Sequence, residues 1–197
     1  MKQLVLPVTA YQQNCTFVLC EKSGKAAVID PGGEAERLLA IVEKHQLDVE
    51  KILLTHGHLD HVGAAADLRE KLGVPIVGPH EADAFWLQQL PQQGQMLGGP
   101  TLQAFDPDQW LSDGDTVCVG EITFEVLHCP GHTPGHVVFF NRKSNWAQVG
   151  DVLFAGSIGR TDFPGGSHQQ LLDSIRNKLF ALGDQVKFVP GHGPGST

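Results

Sequence analysis

A chain of 197 residues with 41% apolar content is long enough to bury a substantial core, and it is read as one domain spanning residues 1–197. Its 14 basic and 22 acidic residues leave a formal charge of −8, which excludes a general electrostatic pull toward nucleic acid or an anionic membrane. No run approaches the roughly 18 apolar residues of a membrane span, and Pro7 interrupts the short apolar stretch near the N-terminus, so neither a membrane helix nor a secretion signal is expected.

The first 30 residues read as three strands, over 2–8, 16–20 and 26–30, each rich in β-branched or aromatic residues and closed by turn formers. Leu38, Leu39 and Val42 fall at helical spacing within 34–45, and the apolar run 51–55 has strand length. A second helix is expected over 62–72, ended by Gly73, with a strand at 74–78, so this stretch alternates β and α in the manner of layered proteins. The Gln-, Gly- and Pro-rich segment 91–108 lacks periodicity and reads as a long surface connection that could serve as a lid. Strands resume at 116–119, 122–128, 137–141 and 146–149, with Gly120-Glu121 as a tight hairpin turn. Ser167 and Gln170 match a helix capping box. Leu171, Leu172, Ile175, Leu179 and Leu182 then supply an apolar stripe that ends at Gly183, before a strand at 186–190. Two such halves, facing each other, form a sandwich of sheets with helices outside.

Seven of the ten histidines gather in three short segments rich in Gly, Pro or Asp. The densest is Thr55-His56-Gly57-His58-Leu59-Asp60-His61, where an apolar strand ends and a helix is about to begin. On a helix His56 and His58 would point to nearly opposite sides, so they chelate together only from an extended segment or a loop. Asp60 and His61 then sit at the helix start and aim elsewhere, which suits a second ion. Pro130-Gly131-His132-Thr133-Pro134-Gly135-His136, Gly150-Asp151 and Pro190-Gly191-His192-Gly193 each follow an apolar strand as well. Donor counting assigns His56, His58 and His132 to one ion and Asp60, His61 and His192 to the other, with Asp151 bridging. Three ligands each plus a shared carboxylate leave a reactive position open, as catalytic zinc sites do. Imidazole and carboxylate without thiolate suit zinc, iron or manganese, and ligand type alone does not choose among them; two divalent ions, zinc foremost, are the expectation. His136 is expected to support the loop rather than ligate, and His45, His80, His128 and His168 read as ordinary polar or capping residues. Cys15, Cys20, Cys118 and Cys129 form no C-x-x-C pair, which points to free thiols in a reducing cytoplasm.

The T-H-G-H-L-D-H, P-G-H-T-P-G-H, G-D and G-H-G segments, spanning residues 55–192, resemble the metal motifs of the metallo-β-lactamase superfamily. The resemblance implies an α/β fold in the form of a four-layer αβ/βα sandwich. It also makes Asp30, in Asp30-Pro31-Gly32-Gly33, a residue that supports the metal loop by hydrogen bonding. Within the superfamily the chain is most similar to short bacterial type II glyoxalases, which hydrolyse S-D-lactoylglutathione to D-lactate and glutathione. That similarity includes the loop Gly159-Arg160-Thr161-Asp162-Phe163. It implies a hydroxyacylglutathione hydrolase acting on a small glutathione thioester, with Asp60 orienting a metal-bound hydroxide and Arg160 attracting a glutathione carboxylate. Larger glyoxalase II enzymes carry Lys and Tyr nine and eleven residues after the bridging aspartate, where this chain has Arg160 and Asp162. They also have a C-terminal helical domain with basic anchors, whereas this chain ends five residues after His192, from which an extension of the native chain is an open expectation. The rival resemblance is to persulfide dioxygenases, which share the G-R-T-D-F loop; there a single iron would be held by His56, His132 and Asp151. Ester and lactam substrates stay open because fold alone does not fix substrate.

Overall fold

The computed structural model describes residues 1–96 and 102–197. Among them, β1 (Lys2–Val8), β2 (Gln13–Leu19), β3 (Lys25–Ile29), β4 (Asp48–Leu53) and β5 (Ile76–Val77) form one sheet in that spatial order. The first three strands pair antiparallel and the last three parallel. Helices α1 (Ala35–Lys44), α2 (Leu59–Val62), α3 (Ala65–Leu72), α4 (Ala84–Gln88) and α5 (Leu90–Met96) punctuate this half. The second sheet runs β12-β9-β8-β7-β6, from β6 (Thr116–Val119), β7 (Ile122–His128), β8 (Val137–Asn141), β9 (Trp146–Gly150) and β12 (Lys187–Pro190). A small hairpin, β10 (Leu153–Phe154) with β11 (Ser157–Ile158), and helix α6 (His168–Ser174) lie between β9 and β12.

Three apolar interfaces separate four layers. Side chains alternate along each strand, so β8 sends Val137 and Phe139 to one cluster and Val138 and Phe140 to another. The inner cluster joins Ala27, Ile29 and Leu53 of the first sheet to Phe124, Val126 and Phe139 of the second. One outer cluster packs Phe17, Val28 and Ile52 against Leu38, Leu68 and Leu87 from the helices, and the other packs Phe140, Val149 and Phe188 against Leu171 and Ile175. Each fully buried side chain of this size contributes about 1.5–3 kcal/mol. The architecture is the expected αβ/βα sandwich. No helix among the described residues is long and apolar enough to cross a membrane.

Several boundaries differ from the sequence reading. The helix expected over 62–72 is two helices, broken at Gly63-Ala64, where the Ala64 N–H donates to the Pro31 carbonyl (2.9 Å) and ties the chain to the turn after β3. Part of the expected connection 91–108 is helical, as α5, because Pro91 occupies the first turn, where its missing N–H costs nothing. The lid reading falls partly on 97–101, outside the described residues. Ser167 does cap α6, its hydroxyl accepting from the Gln170 N–H (3.4 Å), but the apolar stripe beyond Ser174 winds on as a π-turn over Ile175–Leu179 and a 3-10 turn over Phe180–Leu182.

Candidate metal centre

Strand direction collects the site. β3 and β4 run parallel, as do β9 and β12, and β7 points the same way as β9 because both are antiparallel to β8. The segments that leave β3, β4, β7, β9 and β12 therefore emerge on one edge of the sandwich and carry Asp30, the 55–61 loop, the 130–136 loop, Asp151 and His192. Backbone bonds stitch the two sheets there. Val137 N–H donates to Thr55 O (2.8 Å) and Asn14 N–H to Gly191 O (2.7 Å), while Gly191 N–H donates to Gly150 O (2.8 Å) within the second sheet.

His58 Nδ1 lies 3.1 Å from His56 Nε2 and 3.0 Å from His132 Nε2, and the three rings present one set of donor atoms within 4.8 Å of one another. Asp60, His61 and His192 form a second such set, with His192 Nε2 3.2 Å from Asp60 Oδ2. Asp151 stands between the two: Oδ1 is 3.4 Å from His61 Nε2, while Oδ2 is 3.5 Å from His132 Nε2 and 3.7 Å from His192 Nε2. All seven residues singled out as ligands in the sequence are thus brought together.

Four of the five imidazoles are turned by the far nitrogen; His58 instead faces its neighbours through Nδ1. His56 Nδ1 lies 3.0 Å from the Thr55 hydroxyl, His61 Nδ1 2.9 Å from Asp30 Oδ2, His132 Nδ1 2.7 Å from the Arg160 carbonyl and His192 Nδ1 3.1 Å from the Tyr11 carbonyl, so Nε2 faces inward in all four. Asp30, His56 and His61 also form a donor set. Asp30, however, is already occupied: it accepts from the Thr55 N–H (2.7 Å) and hydroxyl (2.5 Å) and faces His61, which is the supporting position expected of it. His136 lies outside all three sets; its Nε2 accepts from the Asp151 N–H (3.0 Å) and its ring stacks on His56 at 4.7 Å.

The electrostatics suit a cation. Burial pushes His56, His58, His132 and His136 below the ordinary imidazole range, which keeps these rings neutral and able to ligate. Burial opposes charge on His61 too, but Asp151, Asp60 and Asp30 outweigh it and raise that ring. Burial likewise works against ionised Asp151, yet His61, His132 and His192 hold its carboxyl well below the usual range. Within this cluster, His61 Nε2 and Asp151 Oδ1 are buried without a hydrogen-bond partner. Unpaired buried polar atoms are rare and costly, and these two, among carboxylates and beside the neutral His56, His58 and His132 rings, fit divalent cations.

Sequence reasoning missed several neighbours. Phe163 packs edge-on against His58 (4.9 Å) and His132 (6.1 Å), and Trp86 against His58 (4.6 Å), closing the site on that side. Asn14 clamps the His192 loop by donating to Pro190 O (3.0 Å) and Gly193 O (2.8 Å). Asp83 is a fully buried carboxylate wedged between the first and second histidine loops. Phe163 was within reach, as part of the G-R-T-D-F loop; nothing local marks the others. Arg160 stands over the Phe163 ring (4.3 Å) at the rim, its guanidinium paired with Asp162 (2.6 and 2.5 Å).

Comparison with known proteins follows the same outline. The chain is 48% identical to the hydroxyacylglutathione hydrolase GloC of Haemophilus influenzae, over 98% of this chain and 91% of that one. It superposes on BLEG-1, a B3 metallo-beta-lactamase, with a TM-score of 0.91 at 36% identity, covering 100% of this chain and 94% of that one. For TTHA1623 in a di-iron-bound form the TM-score is 0.89 at 36% identity, covering 98% and 94%. The family described as the metallo-beta-lactamase superfamily matches residues 8–195, a stretch that holds every strand-end histidine and aspartate of the site. With sandwich, strand-end ligands and family match in agreement, the chain belongs to the metallo-beta-lactamase superfamily.

Proposed function

We propose that this protein is a two-metal hydroxyacylglutathione hydrolase that cleaves the thioester of S-D-lactoylglutathione. The observation that carries the reading is the pair of donor sets flanking one carboxylate: His56, His58 and His132 on one side, Asp60, His61 and His192 on the other, and Asp151 between them. The 48% identical relative that bears this activity in its name supports the substrate. Zinc is the metal of this reading; the ligand set suits iron equally, and the di-iron-bound neighbour makes iron the alternative. Divalent ions at such a site supply Lewis acidity and bring the pKa of water toward neutrality.

The chain's own residues do the rest. Asp60, whose Oδ2 faces His192, orients the attacking water from the partly open side of the site. Phe163 and Trp86 shield the His58 side from bulk solvent. Arg160 offers a cation at the rim for a glutathione carboxylate, in exchange with Asp162. A thioester matches this equipment because a thiolate leaves without a strong general acid. Four cysteines without a disulfide support a reducing, cytoplasmic setting.

The competing reading, a mononuclear iron persulfide dioxygenase, uses His56, His132 and Asp151, and the last two do approach to 3.5 Å. One experiment separates them. Thiol release from S-D-lactoylglutathione under nitrogen, by protein holding two ions per chain, is the expected result; one iron per chain and oxygen uptake with glutathione persulfide would replace it.

A further inference from the structure

Asp83 ends the one-turn segment Glu81–Asp83 and is 0% exposed. Its two oxygens accept three hydrogen bonds, all from the loops that carry the first donor set. Gly57 N–H donates to Oδ2 (2.9 Å), the Thr133 hydroxyl to Oδ2 (2.8 Å) and Gly135 N–H to Oδ1 (2.6 Å). Gly57 separates His56 from His58, and Thr133 follows His132, so every member of that set is one residue from an atom bonded to Asp83. The loops also close tightly on this turn. A Cβ on Gly57 would stand 2.8 Å from Trp86 Cβ, and one on Gly135 would stand 2.5 Å from the Asp83 backbone N.

Neither support of the second donor set is Asp83: His61 rests on Asp30, which also holds Thr55 beside His56, and His192 rests on the Tyr11 carbonyl. Burial pushes the Asp83 carboxyl up to about 6 against the three donors that pull it down, so a carboxylate is kept dry here at a cost. A plain apolar contact would hold two loops together without that cost.

We propose that Asp83 is a positioning residue that sets the geometry of the first metal site, His56, His58 and His132, separately from the second. The inference rests on the reading that both donor sets hold metal. An Asp83→Asn side chain keeps one oxygen, so at least one of the Gly57 and Gly135 N–H groups meets an amide NH2 in place of an acceptor. The test titrates wild type and D83N with Zn2+ against a chromophoric chelator, counts ions per chain, and locates them by anomalous diffraction. Circular dichroism checks that D83N is folded.

The expected D83N protein binds the first ion about 10- to 100-fold more weakly and keeps the second, among Asp60, His61 and His192, at wild-type affinity. Equal weakening at both sites, or none at either, overturns the proposal. If D83N does not fold, Thr133→Val decides. It removes one of the three donors without changing shape, and must weaken the first site alone. Wild-type protein that binds no ion at all would sink the functional reading and this inference with it. Two ions retained unchanged in D83N would sink only the inference.

Discussion

Gly191 allows the metal centre to be tested by adding a single methyl group. Its backbone φ is outside the left-handed region, so alanine meets no conformational penalty there. The added carbon instead points into the site. It would overlap Asp151 Oδ1 and stand 2.5 Å from His61 Cε1. Carbon atoms rest at about 3.5 Å or more, so the His61 ring or the 190–193 loop must shift by about 1 Å, and the Asp151 carboxylate must turn away as well. Overpacking of this kind costs about 1–3 kcal/mol of stability. Its effect on chemistry is larger, since ligand distances tolerate about 0.2 Å and a 1 Å misplacement can cost about 100-fold in rate. Gly191→Ala is therefore expected to fold, to melt within several degrees of wild type, and to lose at least about 100-fold in kcat for thioester hydrolysis, with a fall in bound metal. Melting curves, elemental analysis and steady-state kinetics read the three quantities. A folded G191A protein with wild-type kcat and metal content would refute the placement of Asp151 and His61 at the reacting centre.

Arg160→Ala should raise KM for S-D-lactoylglutathione with kcat and metal content intact; unchanged kinetics would retire the rim cation as a substrate contact. Protonation of His128 gives a pH effect with a definite sign. Burial, then His80 and Lys178 nearby, hold its pKa below the ordinary 6.5, so on acidification the unfolded chain takes up the proton first. The stability this group contributes is present above 6.5 and is lost as pH falls through the window below it. His128→Gln should therefore show a shallower loss of Tm between about pH 7 and pH 5 than wild type in paired melting scans, and parallel curves would contradict the assignment.

How far the sequence exposes this structure depends on whether a feature is local. The ligand histidines and aspartates stand in short turn-rich segments directly after apolar strands, and strand-end placement is visible in a linear pattern. Asp30 bonds the Thr55–His61 loop, His136 lies outside every donor set, and Arg160, expected as a substrate contact, stands over the Phe163 ring. The sequence does not reveal that Asp162 pairs with Arg160, because both lie in an irregular loop. Asp83 was invisible for a different reason. Its partners are 26, 50 and 52 residues away, so no window of sequence contains the contact. Helix α5 was hidden by composition, since its Gln, Gly and Pro residues weaken the apolar period that betrays α1. The break between α2 and α3 follows from the bond between Ala64 and Pro31, a tertiary tie that overrides a continuous helical pattern.

The decisive measurement is metal content against turnover of one preparation. Two divalent ions per chain, loss of S-D-lactoylglutathione hydrolysis in step with their removal by a chelator, and its return on adding Zn2+ are the expected results. Full hydrolysis by protein stripped of metal would contradict the account.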